Sequence, residues 1–289
     1  MNRRSFLIRS NSLVLGTAAL SLGFHAGERF TTGLSQYSLR ALLKSGALDP
    51  LDFPQFALDE FGIKAIDFWD GGLPKDKIDS PGYLEKIKTK SEQIGSDLFL
   101  FMAPTYNIHP DKVEASRRAM LKNLERSRRI GARYMRIFLR VPGEDMDSGV
   151  RASVEALKPL SDLAAERKVM LVIEPGNSSL SVQGGFLARV AKELNHPACR
   201  LMPDFGKLKG DIYEGTKAMM PYTETVSCKM HSFDSAGGQP DFDYPRLMEI
   251  ISRSSYRGIL AIEWEGKNLK PIEGVKASQA LLQRSLSKA

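Results

Sequence analysis

Eight short apolar, β-rich runs, each followed by a longer helical pattern, constrain this 289-residue chain more than any other feature. The runs are FTTGLSQYS (Phe30 to Ser38), IKAIDFWD (Ile63 to Asp70), DLFLFMAP (Asp97 to Pro104), RYMRIFLR (Arg133 to Arg140), VMLVIEPG (Val169 to Gly176), CRLMPDFG (Cys199 to Gly206), TVSCKMHSFD (Thr225 to Asp234) and ILAIEWEG (Ile259 to Gly266). Between them lie stretches such as HPDKVEASRRAMLKNLERSRRIGA, where Val113, Met120, Leu121, Leu124 and Ile130 recur near a 3.6 period. Asp111 and Glu114 there suit a helix start and Gly131 a helix end. Strands alternating with helices imply parallel βαβ units, and eight such units match the size of one closed barrel. An open doubly wound sheet would advertise a Gly-rich phosphate turn after its first strand, and none follows Phe30 to Ser38. The expected fold is therefore α/β, a single (β/α)8 TIM barrel over residues 27–289.

Residues 1–26 read differently. A basic head is followed by an apolar run from Leu13 to Phe24 and the small residue Ala26, the pattern of a secretory signal. Arg3 and Arg4, followed by Ser5, Phe6 and Leu7, resemble a twin-arginine export signal, which implies the twin-arginine translocon as a transient partner and a periplasmic or otherwise exported location. The apolar run is shorter than the roughly 20 residues of a membrane-spanning helix. Removing Arg3, Arg4 and Arg9 from the 41 basic residues leaves an excess of only four over the 34 acidic ones. With no clustered patch behind it, that excess is a solvated surface and predicts no nucleic-acid partner. Cys199 and Cys228 lie in apolar runs and are read as small buried hydrophobes, a disulfide being neither required nor deducible from spacing.

In a barrel, the site assembles from the C-terminal ends of several strands. Four ends carry groups that are costly to bury: Glu174 on the fifth, Asp204 on the sixth, Lys229 and His231 on the seventh, Glu263 and Glu265 on the eighth. Ionised carboxylates after apolar runs need a cation or hydrogen-bond donors. Three carboxylates and an imidazole suit Mn²⁺, Mg²⁺, Co²⁺ or Zn²⁺, whereas pairing with Lys229, Arg136 or Arg140 in a structural ionic layer is the plainer reading.

The strand ends VIEP, MPDFG, VSCKMHSFD and GILAIEWEG, with the opening GLSQYSLR and the fourth-strand MRIF, resemble the xylose isomerase-like sugar phosphate isomerase and epimerase superfamily over essentially the whole mature chain. That resemblance implies a divalent metal held by Glu174, Asp204, His231 and Glu263, with Glu174 and Glu263 also shuttling protons through an enediolate. A metal bridging adjacent sugar oxygens acidifies the neighbouring C–H, and a carboxylate on each face can remove and return the proton.

The seventh strand departs from the pattern. Relatives often place the metal histidine two residues before the strand lysine, where this chain has Ser227. Residues 227 and 231 are about 13 Å apart along an extended strand, so they cannot share one ligand position. Either His231 supplies the nitrogen from a bulged strand end, or three protein ligands suffice and His231 contacts substrate, or the metal site is lost and the barrel only binds sugar. Lys207, after DFG, departs too and is expected to reach solvent.

Other candidates for substrate contact are Trp69, with Phe68, as an apolar wall for a sugar ring; His109 in the loop after the third strand; Arg140 at the end of the fourth; and Lys229. Ordinary packing, helix capping and ion pairing are the competing readings for these. His196, before Pro197, is structural. The expected function is a metal-dependent isomerase or epimerase on a free sugar or ketosugar. A lyase or hydratase on 3-keto sugars or glycosides comes second, and a non-catalytic sugar-binding barrel is the rival of another class. An endonuclease-like barrel would show more histidines and a basic groove. The partner is a small carbohydrate, and self-association into a homo-oligomer stays open.

Overall fold

The computed structural model describes residues 29–289, so the export-signal reading of residues 1–26 lies outside the described residues. Eight strands run in chain order: β1 Phe30–Leu34, β2 Ala65–Trp69, β3 Asp97–Asn107, β4 Tyr134–Arg140, β5 Met170–Glu174, β6 Cys199–Leu201, β7 Thr225–Met230 and β8 Gly258–Trp264. The helices are α1 Arg40–Ser45, α2 Phe53–Phe61, α3 Tyr83–Ile94, α4 Val113–Ile130, α5 Met146–Glu166, α6 Gly184–Leu194, α7 Ile212–Met219, α8 Tyr244–Arg253 and α9 Pro271–Leu286. All strand pairings are parallel, in the order β6-β5-β4-β3-β2-β1-β8-β7. Two parallel bridges, Leu201 with Thr223 and Asp204 with Ser227, join β6 to β7 and close the ring. The expected TIM barrel is the observed one.

The apolar periodicities explain the layers. Ala65, Phe99, Leu100, Val172, Met202, Ile259 and Ala261 fill the barrel interior. Alternate residues of the same strands face outward into clusters shared with the helices. Helices α5, α7 and α8 begin at Asp145, Asp211 and Asp243, whose carboxylates accept from first-turn backbone N–H groups. Helix α4 starts at Val113, after Asp111, and ends on Gly131 at φ +82°, where the left-handed backbone suits glycine.

Three strands stop four or five residues short of the runs that announced them: β1, β6 and β7. β1 ends at Leu34 because Ser35 Oγ accepts the Tyr37 N–H and turns Gln36–Leu39 into a 3-10 turn. β7 ends at Met230 because the His231 and Ser232 N–H groups both donate to Gln239 Oε1. Cys199 and Cys228 are buried free thiols.

Close approach of α6 to α7 depends on Gly184. A Cβ added there would lie 2.4 Å from the Gly215 carbonyl oxygen, which is backbone and cannot rotate away. Gly184→Ala is expected to destabilise the barrel by about 1–3 kcal/mol through overpacking, read as a lower urea midpoint with unchanged slope. A midpoint equal to that of the wild type would show that the two helices separate freely.

Candidate metal centre

Three carboxylates arrive at the mouth from different strands. Glu174 is the last residue of β5, opposite Phe138 of β4. Asp204 follows β6 and is fixed by its bridge to Ser227, whose N–H donates to the Pro203 carbonyl at 2.9 Å. Glu263 lies on β8 in register with Lys229 of β7. Among the described residues, Glu174, Asp204 and Glu263 each offer a carboxylate oxygen within 4.8 Å of the others. They are 2%, 0% and 5% exposed, so water does little to offset their charge.

Two cations share this interior. Arg136 Nε lies 2.9 Å from Glu174 Oε2, outside hydrogen-bond alignment, while its Nη1 donates to the Ala103 carbonyl at 3.0 Å. Lys229, 1% exposed, places Nζ 3.2 Å from Asp204 Oδ2 and 3.3 Å from Glu263 Oε1, and donates its hydrogen bond to Glu265 Oε1. Burial would lower the Lys229 pKa, but Asp204, Glu263, Glu174 and Glu265 together hold it well above the usual lysine value. Burial, aided by Asp204 and Glu263, pushes Glu174 well above the usual carboxylate range against the pull of Arg136 and Lys229. Asp67 on β2 is raised by burial first and by Glu263 second.

The interior therefore sets five carboxyl groups (Asp67, Glu174, Asp204, Glu263 and Glu265) against the two buried cations Arg136 and Lys229, with the half-buried Lys207 adding its charge near Glu265. Asp204 Oδ1 accepts from the Gly206 and Lys207 N–H groups, but its fully buried Oδ2 has no hydrogen bond. An unsatisfied buried polar atom costs about 1–3 kcal/mol, and more when charged. A divalent cation would answer both the excess of carboxyl groups and the lone pairs of Asp204 Oδ2, which the Lys229 ammonium approaches without an aligned hydrogen bond. Oxygens that share one hard cation, at metal–oxygen distances of about 2.0–2.4 Å, lie no more than about 4–5 Å apart, a limit that the three carboxylates respect. The residues present fit such a cation.

His231, expected as the fourth ligand, is not gathered with these three. It lies one residue beyond β7, with Nδ1 3.8 Å from Asp241 Oδ2 and its ring edge-on to Phe242. Ser227 instead donates its hydroxyl to Glu263 Oε2 at 2.7 Å.

Trp69 lines the barrel interior, half-buried, with its ring edge-on to Tyr37 at 4.8 Å. Phe68 does not join it in a wall: adjacent strand residues face opposite ways, and Phe68 packs outward against Phe53 at 5.4 Å. His109 supplies its carbonyl to the Lys112 and Val113 N–H groups at the start of α4. Arg140 is exposed and donates Nε to the Asn177 carbonyl at 3.2 Å. Lys207 is half-buried, with its ammonium 5.9 Å from the Phe138 ring centroid. His196 Nε2 lies 3.1 Å from Asp162 Oδ1, a structural contact.

Two polar groups escaped the sequence reading. Asp67 is fully buried and accepts the Gln36 N–H through Oδ1, leaving Oδ2 without a hydrogen bond. Gln36 gives Oε1 to the Trp69 N–H and leaves Nε2 unpartnered. A carboxylate inside the apolar run AIDFW was the available signal for Asp67.

A family model described as xylose isomerase-like TIM barrel matches residues 56–285. The C-glycoside deglycosidase alpha subunit of Arthrobacter globiformis is 32% identical over 77 residues, a match covering 25% of this chain and 22% of that protein. Among solved structures, the IolI protein with a bound zinc atom superposes with a TM-score of 0.73 at 14% identity, covering 89% of this chain and 98% of that one. The 3-keto-D-glucoside 4-epimerase YcjR from E. coli superposes with a TM-score of 0.64 at 14% identity, covering 89% of this chain and all of the other. At such identities the structural likeness speaks for the fold.

Proposed function

The chain belongs to the xylose isomerase-like TIM barrel family, and from that premise we propose that it is a metal-dependent sugar isomerase or epimerase acting through an enediolate on a free sugar or ketosugar. The observation that carries this reading is the meeting of two buried glutamates, Glu174 from β5 and Glu263 from β8, with Asp204 in one cluster. A divalent cation held by these three would polarise neighbouring sugar oxygens and acidify the C–H beside them.

The chain's own groups divide the remaining work. Glu174, favoured in its neutral form by burial and in its ionised form by Arg136, is poised to exchange a proton with carbon. Glu263 is the complementary base, its Oε2 pinned by the Ser227 hydroxyl so that Oε1 stays directed at the Lys229 ammonium. Lys229, fixed by Glu265, offers positive charge where a substrate oxygen becomes anionic. Trp69 gives the C–H face of a sugar an apolar platform, and Arg140 and His109 on the rim serve its hydroxyls. Export to the periplasm, read from the N-terminal residues, favours unphosphorylated substrates.

A second reading, a lyase or hydratase on 3-keto sugars or glycosides, is favoured by the 77-residue likeness to the deglycosidase subunit. The same proton abstraction that isomerises a ketosugar expels a leaving group from the next carbon. The test is incubation of free aldoses, ketoses and 3-keto glycosides with the Mn²⁺-supplemented protein in D₂O, followed by NMR and mass spectrometry. The expected result is interconversion with conserved carbon skeleton, deuterium entering beside the carbonyl, and loss of both with EDTA. Release of an aglycone would transfer the assignment to the lyase. Sugar binding without turnover, indifferent to EDTA, would overturn both in favour of a binding module.

A further inference from the structure

The inward positions at the end of β7 are Ser227 and Lys229, 0% and 1% exposed. Ser227 ties the cluster together: its backbone bridges to Asp204 and its hydroxyl holds Glu263 Oε2 at 2.7 Å. Lys229 brings an ammonium to 3.2 Å from Asp204 Oδ2 and 3.3 Å from Glu263 Oε1, but spends its aligned hydrogen bond on Glu265, so the buried Asp204 Oδ2 is ion-paired without a hydrogen bond of its own. His231 has left the strand and faces Asp241 and Phe242.

On the reading that this centre holds a metal, we propose that it is an all-oxygen site for a hard divalent cation, Mg²⁺ or Mn²⁺, in which Ser227 and Lys229 together stand in for an imidazole ligand. A protonated ammonium has no lone pair and cannot coordinate, but it lowers the excess negative charge that a nitrogen ligand would have left untouched. Carboxylates and water suit Mg²⁺ and Mn²⁺, whereas an imidazole biases a site toward zinc.

The test is electron spin-echo envelope modulation of the untagged full-length chain loaded with Mn²⁺, alongside His231→Ala and Ser227→His. The wild type is expected to bind one Mn²⁺ per chain with no modulation from a coordinated nitrogen, and His231→Ala to give the same spectrum. Ser227→His is expected to acquire nitrogen modulation and to shift the Zn²⁺-to-Mn²⁺ affinity ratio about tenfold or more toward zinc. Nitrogen modulation in the wild type that disappears in His231→Ala would overturn the inference while leaving the metal reading standing. A wild type that binds no Mn²⁺ would remove the metal reading itself and the inference with it. If Ser227→His fails to fold, the wild type and His231→Ala still decide between these outcomes.

Discussion

Glu174→Gln and Glu263→Gln are each expected to slow deuterium exchange at the substrate carbon by about 10²–10⁴-fold, the usual contribution of a positioned acid or base. Glutamine keeps the shape of each side chain. At Glu263 it can still accept the Ser227 hydroxyl through its carbonyl oxygen, so the local hydrogen bond found at 2.7 Å survives. At Glu174 it removes the charge facing Arg136, but that guanidinium keeps its bond to the Ala103 carbonyl and its place 4.2 Å from the Phe138 ring centroid. Both variants should therefore fold, as circular dichroism would verify. Bound Mn²⁺ must be measured beside the rate. A slow variant that retains the cation at saturation locates the defect in proton transfer, whereas Asp204→Asn, which removes the charge shared with the Oδ2 that lacks a hydrogen bond, is expected to lose cation and rate together. Exchange at the wild-type rate in either glutamine variant, with cation bound, would remove that glutamate from the proton path.

The barrel and most of this centre were legible because their signals are local. An apolar run that ends in a carboxylate marks a strand whose last inward residue is costly to bury, and Glu174, Asp204 and Glu263 all announce themselves that way. Asp67 obeys the same rule but lies in mid-strand with Phe68 and Trp69 after it, so attention to strand ends alone passed over it. What depends on the stagger between strands was not legible. Lys229 is visibly an inward candidate, yet only the register that sets it opposite Glu263, and the bridge that sets Ser227 opposite Asp204, show that its ammonium meets two of the three clustered carboxylates. The approach of Lys207 to Phe138 was not legible for a related reason: that ring is contributed by a strand some seventy residues earlier. His231 illustrates the other limit, since Gln239, eight residues away in a loop, accepts the N–H groups that would have continued the strand.

Lys229→Met is expected to make the stability of the barrel depend on divalent cations. Lys229 is one of two buried cations among the carboxyl groups of Asp67, Glu174, Asp204, Glu263 and Glu265. Removing one partner of a buried ion pair typically costs about 3–5 kcal/mol, because the remaining charge stays desolvated and uncompensated. Methionine fills much of the same volume, so the loss reports charge more than packing. A cation that binds the folded chain alone restores stability by mass action, about 2.7 kcal/mol when present at a hundred times its dissociation constant. Urea unfolding with EDTA and with saturating Mn²⁺ should therefore show a large gap for Lys229→Met and a smaller one for the wild type, whose ammonium already supplies part of the compensation. If the variant matches the wild type in EDTA, the lysine charge does not hold these carboxylates together. If it is destabilised and Mn²⁺ restores nothing, the carboxylates do not form a cation site, and the ion pairs of Lys229 are instead the permanent neutralisation of the cluster.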